Sequence, residues 1–250
     1  EITTFRKDGE YLDNRHPLEV ELGVPLEYDL ERRDFNINAF AYDGKKLIDK
    51  FEGFDSLKKK EIKSVGDRNK RFVEDALRIL RGLRFAATLN FTIEEETKKA
   101  IYNNYKLLKN IAFERINDEV FKLLEHNSSN IFDEYGYVFE YIYDYEMKRE
   151  YLPLLDSSLT NTMKFAIIGP KIEPKWREIR LSYNLMNEIK IYQELMESDC
   201  DYNEYEFRLD LCKYKTSQMH NNIQFLEKYY NWSNEKIELI DKYINTTQEQ

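Results

Sequence analysis

After Gly66 the apolar residues stop alternating and begin to recur every three or four positions. Phe72, Ala76, Leu77, Leu80 and Leu83 fall on one stripe, which predicts a helix over Arg71 to Phe85 with Asp67 as its N-cap. A second helix is predicted from a cap at Thr92 across Ile93 to Leu108. A third is predicted across Ile111 to His126, with Ile116, Val120, Leu123 and Leu124 turned inward. From Ile131 to Asn245 the chain stays helix-rich, acidic and loaded with Tyr, with breaks near Pro153, Pro170 and Pro174. Upstream the texture differs. Glu1 to Phe5 is β-branched, Lys7 to Pro17 is a polar loop with an Asp8-Gly9 turn signal, and Phe35, Ile37, Ala39 and Ala41 alternate before Asp43-Gly44. Leu47-Ile48 then completes a strand, turn, strand reading. The expected class is α+β: a small β-containing start followed by roughly 180 helical residues.

Composition narrows the function classes. No apolar run approaches the ~18 residues a membrane-spanning helix needs. Cys200 and Cys212 are the only cysteines, too few for a disulfide framework or a Cys-built zinc site, so a reducing cytoplasmic setting is expected. The chain carries 38 Lys and Arg against 47 Asp and Glu, a net charge of −9, which disfavours a surface made for nucleic acid along its whole length. That charge is uneven. Between Gly44 and Arg84 thirteen basic residues face seven acids, and the acidic excess lies entirely outside this stretch. A solvated Lys-rich loop would account for it; so would a phosphate-bearing ligand.

The polar side of the Arg71–Phe85 segment carries Arg71, Glu74, Asp75, Arg78, Arg81 and, near the edge, Arg84. One reading is a ladder of exposed ion pairs, each worth only ~0.3–0.5 kcal/mol. The other is recognition of a base. Cytosine and adenine both present an exocyclic amine beside a bare ring nitrogen, whereas uracil and guanine present a carbonyl beside a ring N–H. A carboxylate and a guanidinium one helical turn apart complement the first pair: Asp75 accepts from the amine and Arg78 donates to the ring. A mismatched base would leave buried polar groups unpaired. Arg81 and Arg84 continue the face toward a triphosphate. On this reading Asp75→Ala or Arg78→Ala loses C/A selectivity without unfolding the protein.

Several motifs in order make the pattern specific. Glu1-Ile2-Thr3-Thr4-Phe5-Arg6, the loop from Asp8 to Pro17, Asp29-Leu30-Glu31-Arg32-Arg33-Asp34-Phe35-Asn36-Ile37-Asn38-Ala39 and Glu74-Asp75-Ala76-Leu77-Arg78 resemble the bacterial-type (class II) CCA-adding tRNA nucleotidyltransferases and the related bacterial poly(A) polymerases. The resemblance covers about residues 1–125. It implies the C-terminal part of a nucleotidyltransferase head over 1–50, a helical, base-recognising neck over 51–127, and a helical body and tail over 128–250 that contacts tRNA. It implies nucleotide contacts at Arg33, Asp75, Arg78, Arg81 and Arg84, a ribose-associated motif holding Asp34 and Asn38, a hinge at Asp49-Lys50-Phe51-Glu52-Gly53, and a neck-helix motif at Phe113-Glu114-Arg115-Ile116. The loop from Lys7 to Pro17 resembles the one used in switching from C to A addition. The expected activity is CCA addition to tRNA from CTP and ATP with Mg²⁺, in the cytoplasm; CC addition, poly(A) addition and a non-catalytic RNA-binding role are the alternatives.

This sequence departs from the family pattern at three minor points: Asn36 stands where Thr is usual, Ser56-Leu57 where Asp-Leu is usual, and Arg68 where Pro is common. The large departure is that residues 1–250 contain no Gly-Gly and no strand-borne Asp-x-Asp. Asp199-Cys200-Asp201 lies in the acidic helical half. Glu1 is then the candidate catalytic carboxylate, beside principal metal ligands expected upstream, and the chain is expected to be a portion of a longer enzyme that binds nucleotide weakly and does not catalyse alone.

Overall fold

The computed structural model describes residues 4–9, 17–156, 158–171, 176–197, 225, 227–230 and 238. Glu1, most of the Lys7–Pro17 loop, His16, both cysteines and Asp199–Asp201 therefore lie outside the described residues. The chain divides into two compact units, one of residues 1–146 with 178–180, the other of 147–177 with 181–250.

The first unit begins with an antiparallel pair, β1 (Arg6–Asp8) and β2 (Val20–Leu22), followed by α1 (Leu26–Glu31). A second hairpin pairs β3 (Phe40–Tyr42) with β4 (Leu47–Asp49). Its turn forms because the Asp43 carboxylate accepts from the Lys45 and Lys46 N–H groups, both at 2.8 Å, and Gly44 takes a φ of 91°. The expected strand from Asp34 is not continuous. Phe35 makes a single bridge to Ser64, and Asn36–Asn38 coils into a 3-10 turn in which Asn38 Oδ1 accepts the Phe35 N–H. The short polar Asn side chains compete with ladder formation there.

The Asp49–Gly53 segment is held by local hydrogen bonds. Asp49 accepts from the N–H groups of Phe51, Gly53 and Phe54, and so starts α2 (Gly53–Lys59). Asn36, standing where Thr is usual in the family motif, is buried and donates to the Phe51 carbonyl. After β5 (Glu61–Ile62), Asp67 caps α3 (Arg68–Glu74) by accepting from Lys70 N–H, as expected.

The single helix expected over Arg71 to Phe85 is two. Asp75 has an extended backbone (φ −142°, ψ 100°), its Oδ1 accepts the Leu77 N–H two residues on, and α4 (Leu77–Leu89) starts afresh. An aspartate that bonds its own downstream backbone offers the chain a cap instead of another helical turn. The apolar stripe survives the break: Phe72, Ala76, Leu80 and Leu83 are all buried.

β6 (Thr92–Ile93) runs parallel to β5, so Thr92 is not the cap. Glu94 is, accepting from Thr97 N–H and hydroxyl ahead of α5 (Glu95–Asn104), and Tyr105–Asn110 tightens into a 3-10 coil. α6 (Phe113–Leu124) packs along α4 and buries Ile116, Val120, Leu123 and Leu124 as its periodicity requires. α7 (Ser129–Tyr143) bends at Tyr135. The carbonyl of Ile179, in the short α9 (Trp176–Ile179), accepts from Asn117, whose amide oxygen accepts the Tyr143 hydroxyl. In the second unit, α8 (Asn161–Ile168) packs on α10 (Tyr183–Glu197), with Met163, Phe165, Ile189, Tyr192 and Phe225 buried. No described helix is long and apolar enough to cross a membrane.

Candidate nucleotide site

A cavity of about 360 Å³ in the first unit collects Arg6, Arg32, Arg33, Arg78 and Arg81 against Asp8, Asp34 and Asp75, with Pro17 and Asn38 completing its wall. Five guanidiniums facing three carboxylates suit an anionic ligand with a polar head. Four of the expected nucleotide residues, Arg33, Asp75, Arg78 and Arg81, meet here from α1's end, the helix break and α4. Arg84 does not line this cavity. Its Nε bonds Glu119 of α6 at 2.6 Å, and its guanidinium lies 4.4 Å from the Phe85 ring centroid. A three-residue step along a helix leaves each side chain about 60° round from the last, and by Arg84 the face has turned toward α6.

Arg78 is the most committed of the group. Only 5% exposed, it gives Nε to Asp34 Oδ1 (3.0 Å), Nη1 to Glu74 Oε2 (3.0 Å) and to the Arg71 carbonyl (3.1 Å), and Nη2 to the Arg32 carbonyl (3.2 Å). Asp34 in turn takes Arg81 Nη2 on its other oxygen at 2.7 Å. Glu74 also binds Arg71 at 2.8 Å. Asp34 and Glu74 thus brace the wall. Glu74 and Arg78 are four residues apart, a spacing visible in the sequence; the bond from Asp34 to Arg78, 44 residues away, has no local signal.

Asp75 sits at the break with Oδ2 3.6 Å from Arg115 of α6. Burial pushes its carboxyl above the ordinary range, opposed by the Arg115 and Arg78 charges. Six carboxylates among the described residues move the opposite way: the exposed Glu27, Asp43 and Glu52, held down by hydrogen bonds, and the more buried Asp29, Asp49 and Glu94. Burial raises Asp29, Asp49 and Glu94, but it is outweighed by hydrogen bonds from Arg32 and Arg6 N–H to Asp29, from three backbone N–H groups to Asp49, and from Thr97 and Arg68 to Glu94. Groups depressed in the folded state stabilise it above their unfolded pKa and lose that contribution as pH falls through the folded value; Asp75 contributes with the opposite sign. With six depressed carboxylates against the raised Asp75 and Glu188 among the described residues, the melting temperature is expected to hold level from pH 7 to about 5 and to fall below about pH 4. Thermal melts between pH 3 and 7 check this, and a midpoint that rises on acidification contradicts it.

Among the described residues no group of three or more His, Cys, Asp or Glu side chains is placed to hold a metal ion. The buried Arg33 Nε and Arg81 Nε have no hydrogen-bond partner.

Comparison with known proteins gives this geometry a class. Residues 1–63 match the family described as the poly A polymerase head domain, and residues 90–135 match a probable RNA and SrmB-binding site of polymerase A. The CCA-adding enzyme of Oceanobacillus iheyensis is 43% identical over 167 residues, 66% of this chain and 40% of that protein. That of Streptococcus mutans is 52% identical over 125 residues, 50% of this chain and 31% of that protein. The fold matches the Bacillus stearothermophilus CCA-adding enzyme in complex with CTP with a TM-score of 0.73 at 24% identity, over 98% of this chain and 62% of that one. It matches the Thermotoga maritima CCA-adding enzyme complexed with tRNA with a TM-score of 0.66 at 25% identity, over 90% and 61%.

A match to a polymerase head domain over residues 1–63, with Arg33 and Asp34 of that stretch lining the arginine-rich cavity, places this part of the chain among nucleotidyltransferase-type proteins. The segments the chain matches are those of the bacterial CCA-adding enzymes and poly(A) polymerases. It spans about two fifths or less of the curated relatives it matches.

Proposed function

We propose that the chain is part of an enzyme that adds C, C and A to the 3′ end of tRNA from CTP and ATP without a nucleic-acid template. The observation that carries this reading is the convergence of Arg33, Asp75, Arg78 and Arg81 on one cavity wall. In the reaction the RNA 3′-hydroxyl attacks the α-phosphorus and pyrophosphate departs. Arg33 and Arg81, each with an unfilled buried Nε, take phosphate oxygens. Asp75 accepts the exocyclic amine. Arg78 donates to the ring by exchanging the neutral Arg32 carbonyl, while the charged Asp34 and Glu74 keep its plane. Exposed lysines at 45, 46, 50, 58, 59, 60 and 70 supply the charge for an RNA backbone.

Mg²⁺ is the ion such chemistry uses; the described residues do not provide its ligand set, and Glu1 lies outside them. A cytoplasmic location goes with the tRNA substrate.

Equilibrium binding of CTP, ATP, UTP and GTP to the 250-residue chain tests the reading. CTP and ATP should bind roughly tenfold or more tightly than UTP and GTP. Arg81→Ala should weaken both, and Arg84→Ala should leave them within about twofold, because Arg84 faces Glu119. Equal affinity for all four nucleotides overturns base selection; ATP bound with CTP refused points to the poly(A) reaction instead.

A further inference from the structure

Arg32 and Arg33, two cavity arginines just past the end of α1, are held by Asp29, to which the sequence reading gave no role of its own. Asp29 lies within α1, with only 6% of its side chain exposed. Its Oδ1 accepts from Arg32 Nε at 3.1 Å, Arg32 Nη2 at 2.7 Å and the Arg6 backbone N–H at 3.3 Å, and its Oδ2 accepts from Arg33 Nη2 at 3.4 Å. Arg33 is held on its other arm as well, where Nη1 donates to the Asn38 carbonyl at 3.0 Å. Both arginines line the cavity, whereas Asp29 does not. The carboxylate therefore stands behind the guanidiniums and has no access to a ligand in front of them.

We infer that Asp29 is a positioning residue, one that sets Arg32 and Arg33 in the orientation in which they receive the phosphate chain of the incoming nucleotide. The inference rests on the nucleotide reading of the cavity and adds the device that prepares its phosphate end. Arginine side chains carry many rotamers, and ordering them at the moment of binding weakens a complex; a fixed carboxylate orders them beforehand. The arrangement is parallel to that of Asp34, which holds Arg78 and Arg81. The two anchors differ in what they hold: Asp34 grips the base-facing arginine, Asp29 grips neither Asp75 nor Arg78. Loss of Asp29 is therefore expected to act on phosphate affinity and not on the choice of base. A sealed carboxylate could act in the contrary sense, by neutralising the arginines and so competing with phosphate. The two roles predict opposite changes when its charge is removed.

The test is Asp29→Asn in the full chain, titrated with CTP and separately with cytidine, which has the base and no phosphate. Positioning predicts CTP binding about tenfold weaker, ~1.4 kcal/mol, with the CTP-to-UTP preference and cytidine binding unchanged. CTP binding that is unaltered or tighter overturns the inference, as does an equal loss for CTP and cytidine, which marks a general structural role. Should the amide variant not fold, Asp29→Glu carries the same test, since it keeps the charge and displaces it by one methylene: CTP affinity falls and cytidine affinity does not. If the unaltered chain binds no nucleoside triphosphate, the functional reading falls and takes the inference with it. If it binds and the variants match it, only the assignment of Asp29 falls.

Discussion

Arg78→Ala is expected to melt on the order of 10 °C below the unaltered chain and to lose nucleotide binding as well. The side chain is buried and bonded to two carboxylates and two carbonyls. Its removal leaves Asp34 with Arg81 alone among these partners and strips Glu74 of one of its two cations. Removing one partner of a buried ion pair costs about 3–5 kcal/mol, and a chain of this size loses ~2–4 °C per kcal/mol. Read from sequence, the same substitution alters base choice and leaves stability alone; the structure replaces that expectation with a joint effect. Arg78→Lys separates the contributions, because an ammonium keeps the charge and cannot span four acceptors. It should recover part of the stability and little of the selectivity. Thermal melts beside nucleotide titrations decide it: an alanine variant that melts with the parent shows that the network contributes little.

Gly53→Ala is the second large effect, and it acts through space alone. A Cβ at Gly53 would lie 2.5 Å from the Asn36 carbonyl oxygen and 2.5 Å from Phe40 Cζ. The ring can give way, but the carbonyl belongs to backbone pinned by its bond from the Ala39 N–H and by the Asn36 side chain. Overpacking of this kind costs about 1–3 kcal/mol. The strain falls two residues from Asp34, so nucleotide affinity should drop along with the melting temperature. Gly66→Ala is the comparison: φ is 65° but nothing lies within 4 Å, so only the backbone term of ~1 kcal/mol applies. Chemical denaturation of the two variants side by side measures the difference, and equal losses would show that Asn36 moves freely.

The helices were legible where one apolar face decides the period. α6 is the clearest case: spacing turns Ile116, Val120, Leu123 and Leu124 inward, and all four are buried. Asp67 as a cap was equally readable, because the capping bond reaches only three residues. Thr92 reads as a cap from its residue type, but Glu94, a less usual cap, stands two residues later and binds Thr97 twice. The break at Asp75 was hidden for a related reason. The stripe of Phe72, Ala76, Leu80 and Leu83 runs through it undisturbed, and only the local bond from Leu77 N–H to the carboxylate interrupts the coil. Asp29 had a usable signal, an acid followed at three and four residues by Arg32 and Arg33, but exposed and buried pairs share that spacing.

What the sequence determined alone is the set of residues with the right chemistry and the elements that carry them. Amphipathic period, caps and turn residues act over three or four positions, within reach of a reader of the chain. What tertiary structure decided is which charges face the cavity and which are spent on holding others. Arg81 and Arg84 are the same residue type one turn apart on α4; one meets Asp34 beside the cavity and the other meets Glu119 on α6. Their roles part because a guanidinium is satisfied by whichever carboxylate packing brings within about 3 Å, and packing joins residues whose separation along the chain carries no information.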